Sequence, residues 1–186
     1  MNIFINTISS NSVLILFDNN RNILDKLVFQ IKGNESSLLI PKIDELLKAN
    51  NLNYNNLDNI VVVNGPGSFT WIRTTILAAN TINYIIKKNM TAISFFELYK
   101  NYPIIKSSSK RDSFIMFEKS WKIEIINNEE IKELLNKKNI KKIYWESSIE
   151  DLEIVENIDY ISIIKELKLD KKEKLEALYI KKPNIC

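Results

Sequence analysis

The chain of 186 residues contains no histidine. That absence removes serine–histidine–aspartate and cysteine–histidine nucleophile machinery from consideration. It also leaves a zinc site only carboxylates and a single thiol, a poor donor set for that metal. Proton chemistry near neutral pH would need an Asp, Glu or Lys with a strongly shifted pKa. Cysteine is almost as scarce, with Cys186 at the very end. No disulfide can form within the chain, which fits a reducing compartment. Long apolar runs are also missing, since none approaches the ~20 residues that a membrane helix requires. The first residues read as a strand rather than as a basic region followed by an apolar stretch. A cytoplasmic protein is expected.

Glycine is limited to three positions and proline to four. Hydrophobic residues make up 45% and charged residues 26%, a balance that supports a packed soluble core. The net charge of +3 is spread in pairs such as Lys141-Lys142 and Lys171-Lys172, not gathered on one face as in a dedicated nucleic-acid binder. Ile, Asn and Lys are heavily used, as in an AT-rich genome, so Asn and Lys are discounted before being given roles.

Residues 2–8, 12–17 and 22–31 read as three strands joined by short polar turns, an antiparallel meander. Residues 36–49 switch to helical period, with Leu39, Ile40, Ile43, Leu46 and Leu47 on one stripe. Pro41 is tolerable there only near the helix start. Asn59–Asn64 is a short apolar strand of the sheet-centre kind. A helix from Trp71 to Lys88 and a strand at Thr91–Phe95 follow. This order resembles a ribonuclease H-like domain, the half-unit of the actin-like ATPases. The expected fold is therefore α/β and actin-like, with a mixed sheet in a first lobe (1–103) and a reduced second lobe (104–186). In the second lobe, strands are expected at Ser113–Phe117, Trp121–Ile126 and Lys142–Trp145. Helices are expected at Glu129–Lys137, Ile161–Leu169 and Lys171–Tyr179, and the tail is expected to return toward the first lobe.

Two of the three glycines fall in Gly65-Pro66-Gly67-Ser68-Phe69-Thr70. Glycine suits positive φ or close backbone approach, and Ser68 or Thr70 could cap the next helix. Free N–H groups at a helix start would also suit an anion, but Gly-x-x-x-x-Gly-Lys is absent and Trp71 would crowd a phosphate. Arg73 could grip an anion or pair with a neighbouring strand or the C-terminal segment.

Asn64–Arg73 resembles the Gly-Pro-Gly-Ser-Phe-Thr-Gly-Leu-Arg signature of the bacterial TsaB (YeaZ) family. Met1–Phe17 is similar to that family's opening hairpin, Leu38–Asn50 to its first helix, and Glu176–Pro183 to its closing segment. Lys110-Arg111-Asp112 resembles its Asp-Ala-Arg-Arg loop. The resemblance implies a non-catalytic subunit with no cofactor and no metal. Its partners would be the catalytic subunit TsaD and the ATPase TsaE, in threonylcarbamoyl modification of the tRNA adenosine next to the anticodon. It would meet tRNA through the complex, and could form a homodimer when alone. The departures are Asn6 in place of the first-strand Asp, Trp71 in place of Gly, Thr75 and Thr81 at helix glycines, and Ala177 and Lys181 near the end.

On a helical wheel, Trp71, Ala78, Ala79, Ile82, Ile85 and Ile86 form the expected sheet-facing side of the second helix. The opposite side carries Leu77, Asn80, Thr81 and Tyr84 and little charge, so it is expected to be covered by the first helix or by another subunit. The resemblance implies pairing through these two helices, at Leu38, Lys42, Thr74, Leu77, Asn80, Thr81 and Tyr84. The competing readings are an active actin-like ATPase or small-molecule kinase, which Asn6 and the few glycines disfavour, and a peptidase. Lys110, Arg111 and Lys119 are candidate phosphate contacts, or simply a solvated face.

Overall fold

The computed structural model describes residues 1–9, 11–30, 35–119, 122–144, 153–155 and 157–181. The chain divides into two compact units: Met1–Phe95 together with the chain from Tyr160 onward, and Phe96–Asp159. Cys186 and the expected strand end at Trp121 lie outside the described residues.

The first unit is built on a five-stranded mixed sheet. Its strands are β1 (Asn2–Asn6), β2 (Ser12–Phe17), β3 (Ile23–Phe29), β4 (Asn59–Val63) and β5 (Asn89–Ile93), in the order β3-β2-β1-β4-β5. The first three form the expected antiparallel meander, with Ile3 opposite Leu16 and Leu14 opposite Leu27. β4 lies parallel to both β1 and β5. Every residue of β1, β2 and β4 is buried. That is why their sequences are near-continuous apolar runs: strands covered on both faces have no solvent side to mark with polar residues. β3, at the sheet edge, alternates between half-buried and exposed residues.

Helices α1 (Glu35–Ala49) and α2 (Phe69–Ile86) connect β3 to β4 and β4 to β5, and they pack on each other. α1 buries Leu39, Ile43, Leu46 and Leu47. Pro41 stands well inside α1 rather than at its start, at an exposed position, and the helix forgoes one i to i−4 hydrogen bond there. A short helix, α4 (Tyr160–Glu166), buries Tyr160, Ile163 and Ile164. The Tyr160 ring meets the Phe4 ring edge-on at 5.7 Å, which puts α4 over the sheet face that carries Phe4 and Asn6.

Residues 171–179 were expected to be helical, and here the structure corrects the sequence. The segment is extended. Lys172 exchanges both main-chain hydrogen bonds with Met90 of β5, and other main-chain groups of the segment bond side chains of α2. Backbone groups committed to neighbours in this way are not free for i to i−4 bonds.

The second unit contains a three-stranded antiparallel sheet of β6 (Ile104–Ser107), β7 (Asp112–Met116) and β8 (Glu124–Asn127), then α3 (Asn128–Lys137). Asn127 caps α3, its side-chain oxygen accepting from the Glu129 N–H at 3.0 Å. Ile105, Ile115, Ile131, Leu135 and Ile143 make its small core. Two short parallel strands, β9 (Lys142–Ile143) and β10 (Glu153–Ile154), complete it.

Candidate functional site

The glycine-rich turn joins β4 to α2, as its sequence requires. Gly65 has φ +137°, a conformation that a side chain rarely adopts, and a Cβ there would stand 2.5 Å from the Leu178 carbonyl oxygen. A Cβ on Gly67 would overlap the Ile8 side chain. The two glycines therefore admit the C-terminal segment on one side and the end of β1 on the other, so the chain itself occupies the space around the turn. The Phe95 N–H also donates to the Gly65 carbonyl at 2.7 Å, and Pro66 is buried. Ser68 stands at the N-cap of α2 but makes no side-chain capping bond, contrary to the expected cap. Its contribution is its carbonyl, which accepts from the Ile72 N–H at 3.0 Å. Thr70 is exposed on the first turn.

Arg73 is also exposed. Its guanidinium lies over the Phe69 ring at 4.6 Å, and Phe69 in turn packs against Tyr179 of the C-terminal segment with ring centroids 5.0 Å apart. Arg73 has no acidic partner among the described residues.

Asn6, the departure from an acidic first strand, is fully buried. Its amide donates to Ser9 Oγ at 2.8 Å and to the Tyr160 hydroxyl at 2.9 Å, and its oxygen accepts from the Ile8 N–H at 3.1 Å. These bonds satisfy the buried amide on both its nitrogen and its oxygen. Among the described residues no group of three His, Cys, Asp or Glu could hold a metal ion.

α2 is oriented differently from the expectation. Its buried side is Ile72, Thr75, Ile76, Ala79, Ile82 and Asn83, whereas Trp71, Ala78 and Ile86 are half-buried and Ile85 is 74% exposed. Two polar residues on the buried side explain the shift. The Thr75 hydroxyl meets the Thr7 hydroxyl at 2.6 Å and donates to the Trp71 carbonyl. Asn83 donates to the Glu173 carbonyl and accepts from the Lys88 N–H. With their polar atoms satisfied, both residues can be buried at little cost.

The outer side is a ridge of Leu77 (69% exposed), Thr81, Tyr84 (85%) and Ile85, on a helix with no Asp or Glu. Thr74 and Leu38 are half-buried, as is Lys42, which pairs with Glu45 at 2.6 Å. Asn80 differs from its neighbours on the ridge. Its amide donates to the Leu175 carbonyl and its oxygen accepts from the Leu175 N–H, at 3.0 and 2.8 Å, so it holds the C-terminal segment.

That segment is an extended strap where a helix over 171–179 is expected from the sequence. Thr91 Oγ1 bonds both the N–H and the carbonyl of Asp170, Asn64 donates to the Glu176 carbonyl, and the Leu178 N–H donates to the Asn64 carbonyl. Leu175 is its one fully buried residue. The binding groups are ordinary polar side chains that read main chain, and they leave no periodic or motif signal. Lys110 and Arg111 lie on an exposed turn whose carbonyls accept from Asn128, and Lys119 is exposed as well.

The family model described as TsaD, tRNA N6-adenosine threonylcarbamoyltransferase, matches residues 32–142. A crystal structure of an uncharacterized protein with similarity to peptidase YeaZ, from Pseudomonas aeruginosa, superposes with a TM-score of 0.71 at 12% identity. That alignment covers 97% of this chain and 99% of the other. YeaZ from Pseudomonas aeruginosa superposes with a TM-score of 0.54 at 14% identity, over 68% of this chain and 64% of the other. Comparison with curated protein sequences gives no match. The fold is the actin-like, ribonuclease H-like one expected from the order of elements.

Proposed function

The chain belongs to the TsaD family, tRNA N6-adenosine threonylcarbamoyltransferase, and from that premise we propose that it serves tRNA modification as a non-catalytic TsaB-type subunit docked on a TsaD-type catalytic subunit. The observation that carries this reading is the outer ridge of α2. Leu77, Tyr84 and Ile85 are largely exposed along one helix, and no described residue of the first unit covers them. Scattered apolar surface residues are ordinary, but a contiguous row on one helix is the kind of surface that meets a partner. Leu38 and Lys42 of α1 and Thr74 of α2, all half-buried, are assigned to the same interface. A TsaE-type ATPase joins the assembly, and tRNA is met through the complex rather than by this chain alone. In isolation the same ridge could pair two copies as a homodimer.

The non-catalytic reading is supported by Asn6, whose amide is spent on Ser9 and Tyr160, and by the glycine turn, whose space is taken by Ile8 and Leu178. Both features also weigh against an actin-like ATPase or small-molecule kinase. Thermal shift with ATP and magnesium tests that alternative, since a ligand bound by the native state raises stability with the logarithm of its concentration. An unchanged melting temperature across the titration is expected.

The docking itself is tested by co-expression with the TsaD-type subunit of the same genome, followed by size-exclusion chromatography. Co-elution is expected, and Thr81→Arg in the middle of the ridge is expected to abolish it while the variant stays folded. Co-elution that survives Thr81→Arg would move the interface elsewhere.

A further inference from the structure

We infer that the docking face is composite, with the C-terminal strap supplying Tyr179 to it and Arg73 seeking a carboxylate on the partner. This inference rests on the docking reading above.

Phe69, Arg73, Leu77, Thr81 and Tyr84 follow one another at intervals of four, four, four and three residues, so they form one row along α2. At 1.5 Å per residue the row is about 22 Å long. Tyr179 packs on its first member at 5.0 Å and remains 42% exposed. The row of the helix is thus continued by an aromatic ring that comes from another part of the chain.

The position of that ring is specified by hydrogen bonds. Asn80, on the flank of the same helix, holds both main-chain groups of Leu175, and Asn64 holds Glu176 and Leu178. These fix the strap immediately before Tyr179. Burial adds little, because Leu175 alone is fully buried within it.

Charge defines the partner. α2 carries no acidic residue, and Arg73 is exposed with one face on Phe69 and no carboxylate among the described residues. A guanidinium that already stacks on one face keeps its edge donors available, and a planar fork of donors suits a carboxylate. The surface that fits here is an apolar helix of the TsaD-type subunit with an Asp or Glu at the end that meets Arg73.

The test uses the full chain and the TsaD-type subunit of the same genome, with Kd measured by calorimetry at several sodium chloride concentrations. Tyr179→Ala and Arg73→Gln should each raise Kd by roughly fivefold to tenfold, the scale of aromatic and arginine contacts away from the interface centre. Arg73→Gln should also flatten the salt dependence, and Tyr179→Phe should bind within about twofold of wild type. Arg73→Gln is an exposed change and carries the test even where Tyr179→Ala loosens the strap. If both variants bind within about twofold of wild type while Thr81→Arg does not bind, the composite face is wrong and the docking reading stands. If the wild-type chain itself does not bind, the docking reading falls and this inference falls with it.

Discussion

The two sides of α2 are less cleanly divided than in an ordinary surface helix. Its buried side carries Thr75 and Asn83, each with its polar atoms satisfied, among Ile72, Ile76, Ala79 and Ile82, while its outer side carries Leu77, Tyr84 and Ile85 in the open beside Arg73 and Thr81. The difference teaches what each side is for. Polar groups inside are there to tie other segments of the chain to the helix, Thr75 to the end of β1 and Asn83 to the strap. The apolar groups outside are largely exposed, and the proposed docking gives them a use in association.

If that division is right, substitutions on the two sides should separate stability from binding. Ile72→Ala, on the buried side, should cost the most stability, about 2–5 kcal/mol, as large-to-small changes in packed cores do. Chemical denaturation of the isolated chain measures it. Thr75→Val keeps the shape but strands the buried Thr7 hydroxyl, and Asn83→Ala strands the Lys88 N–H and the Glu173 carbonyl. Each should cost about 1–3 kcal/mol. A value near zero for both would mean that the polar residues on this side are incidental. Asp58→Asn gives a scale from outside the helix. The N-terminal ammonium bonded to Asp58 holds its carboxyl below the usual carboxylate range. A depressed native pKa adds stability above the unfolded value, near 3.9, and that addition is lost as pH falls through the native one. Wild type should therefore exceed the Asn variant by at most about 1 kcal/mol at neutral pH, because the pair is half exposed, and the gap should close below about pH 4. Leu77→Gln should change the stability of the isolated chain least, within about 0.5 kcal/mol, yet weaken co-elution with the TsaD-type subunit. A large loss of stability there would show that the ridge belongs to the fold.

The sheet was legible because its strands bury whole runs such as Asn59–Val63 and because short polar turns join the meander. The turn at Gly65–Thr70 was legible because only glycine serves at φ +137° and against Ile8. The facing of α2 was misread for a definite reason. A wheel ranks positions by polarity, and here polarity did not follow burial. Heavy asparagine use reads as base composition, and Asn6 and Asn80 read as a lost carboxylate and an interface residue, yet Asn6, Asn64, Asn80 and Asn83 each make specific bonds that hold α4 or the strap in place. Asparagine both donates and accepts, so one side chain can satisfy the two main-chain groups of an extended residue, as Asn80 does for Leu175.

The sequence by itself determined the order of elements, the central apolar strands, the glycine turn and the lack of histidine chemistry. All of these are local: they depend on residue type, spacing and the conformations each residue allows. Only the tertiary structure decided which side of α2 faces inward, that residues 170–179 form an extended strap instead of a helix, and that Tyr179 stands beside Phe69 and Arg73. Those outcomes depend on hydrogen bonds between residues about 80 to 150 positions apart, such as Thr91 with Asp170 and Asn6 with Tyr160. Such bonds are set by where the fold brings two groups together, and that information is absent from any single stretch of the chain.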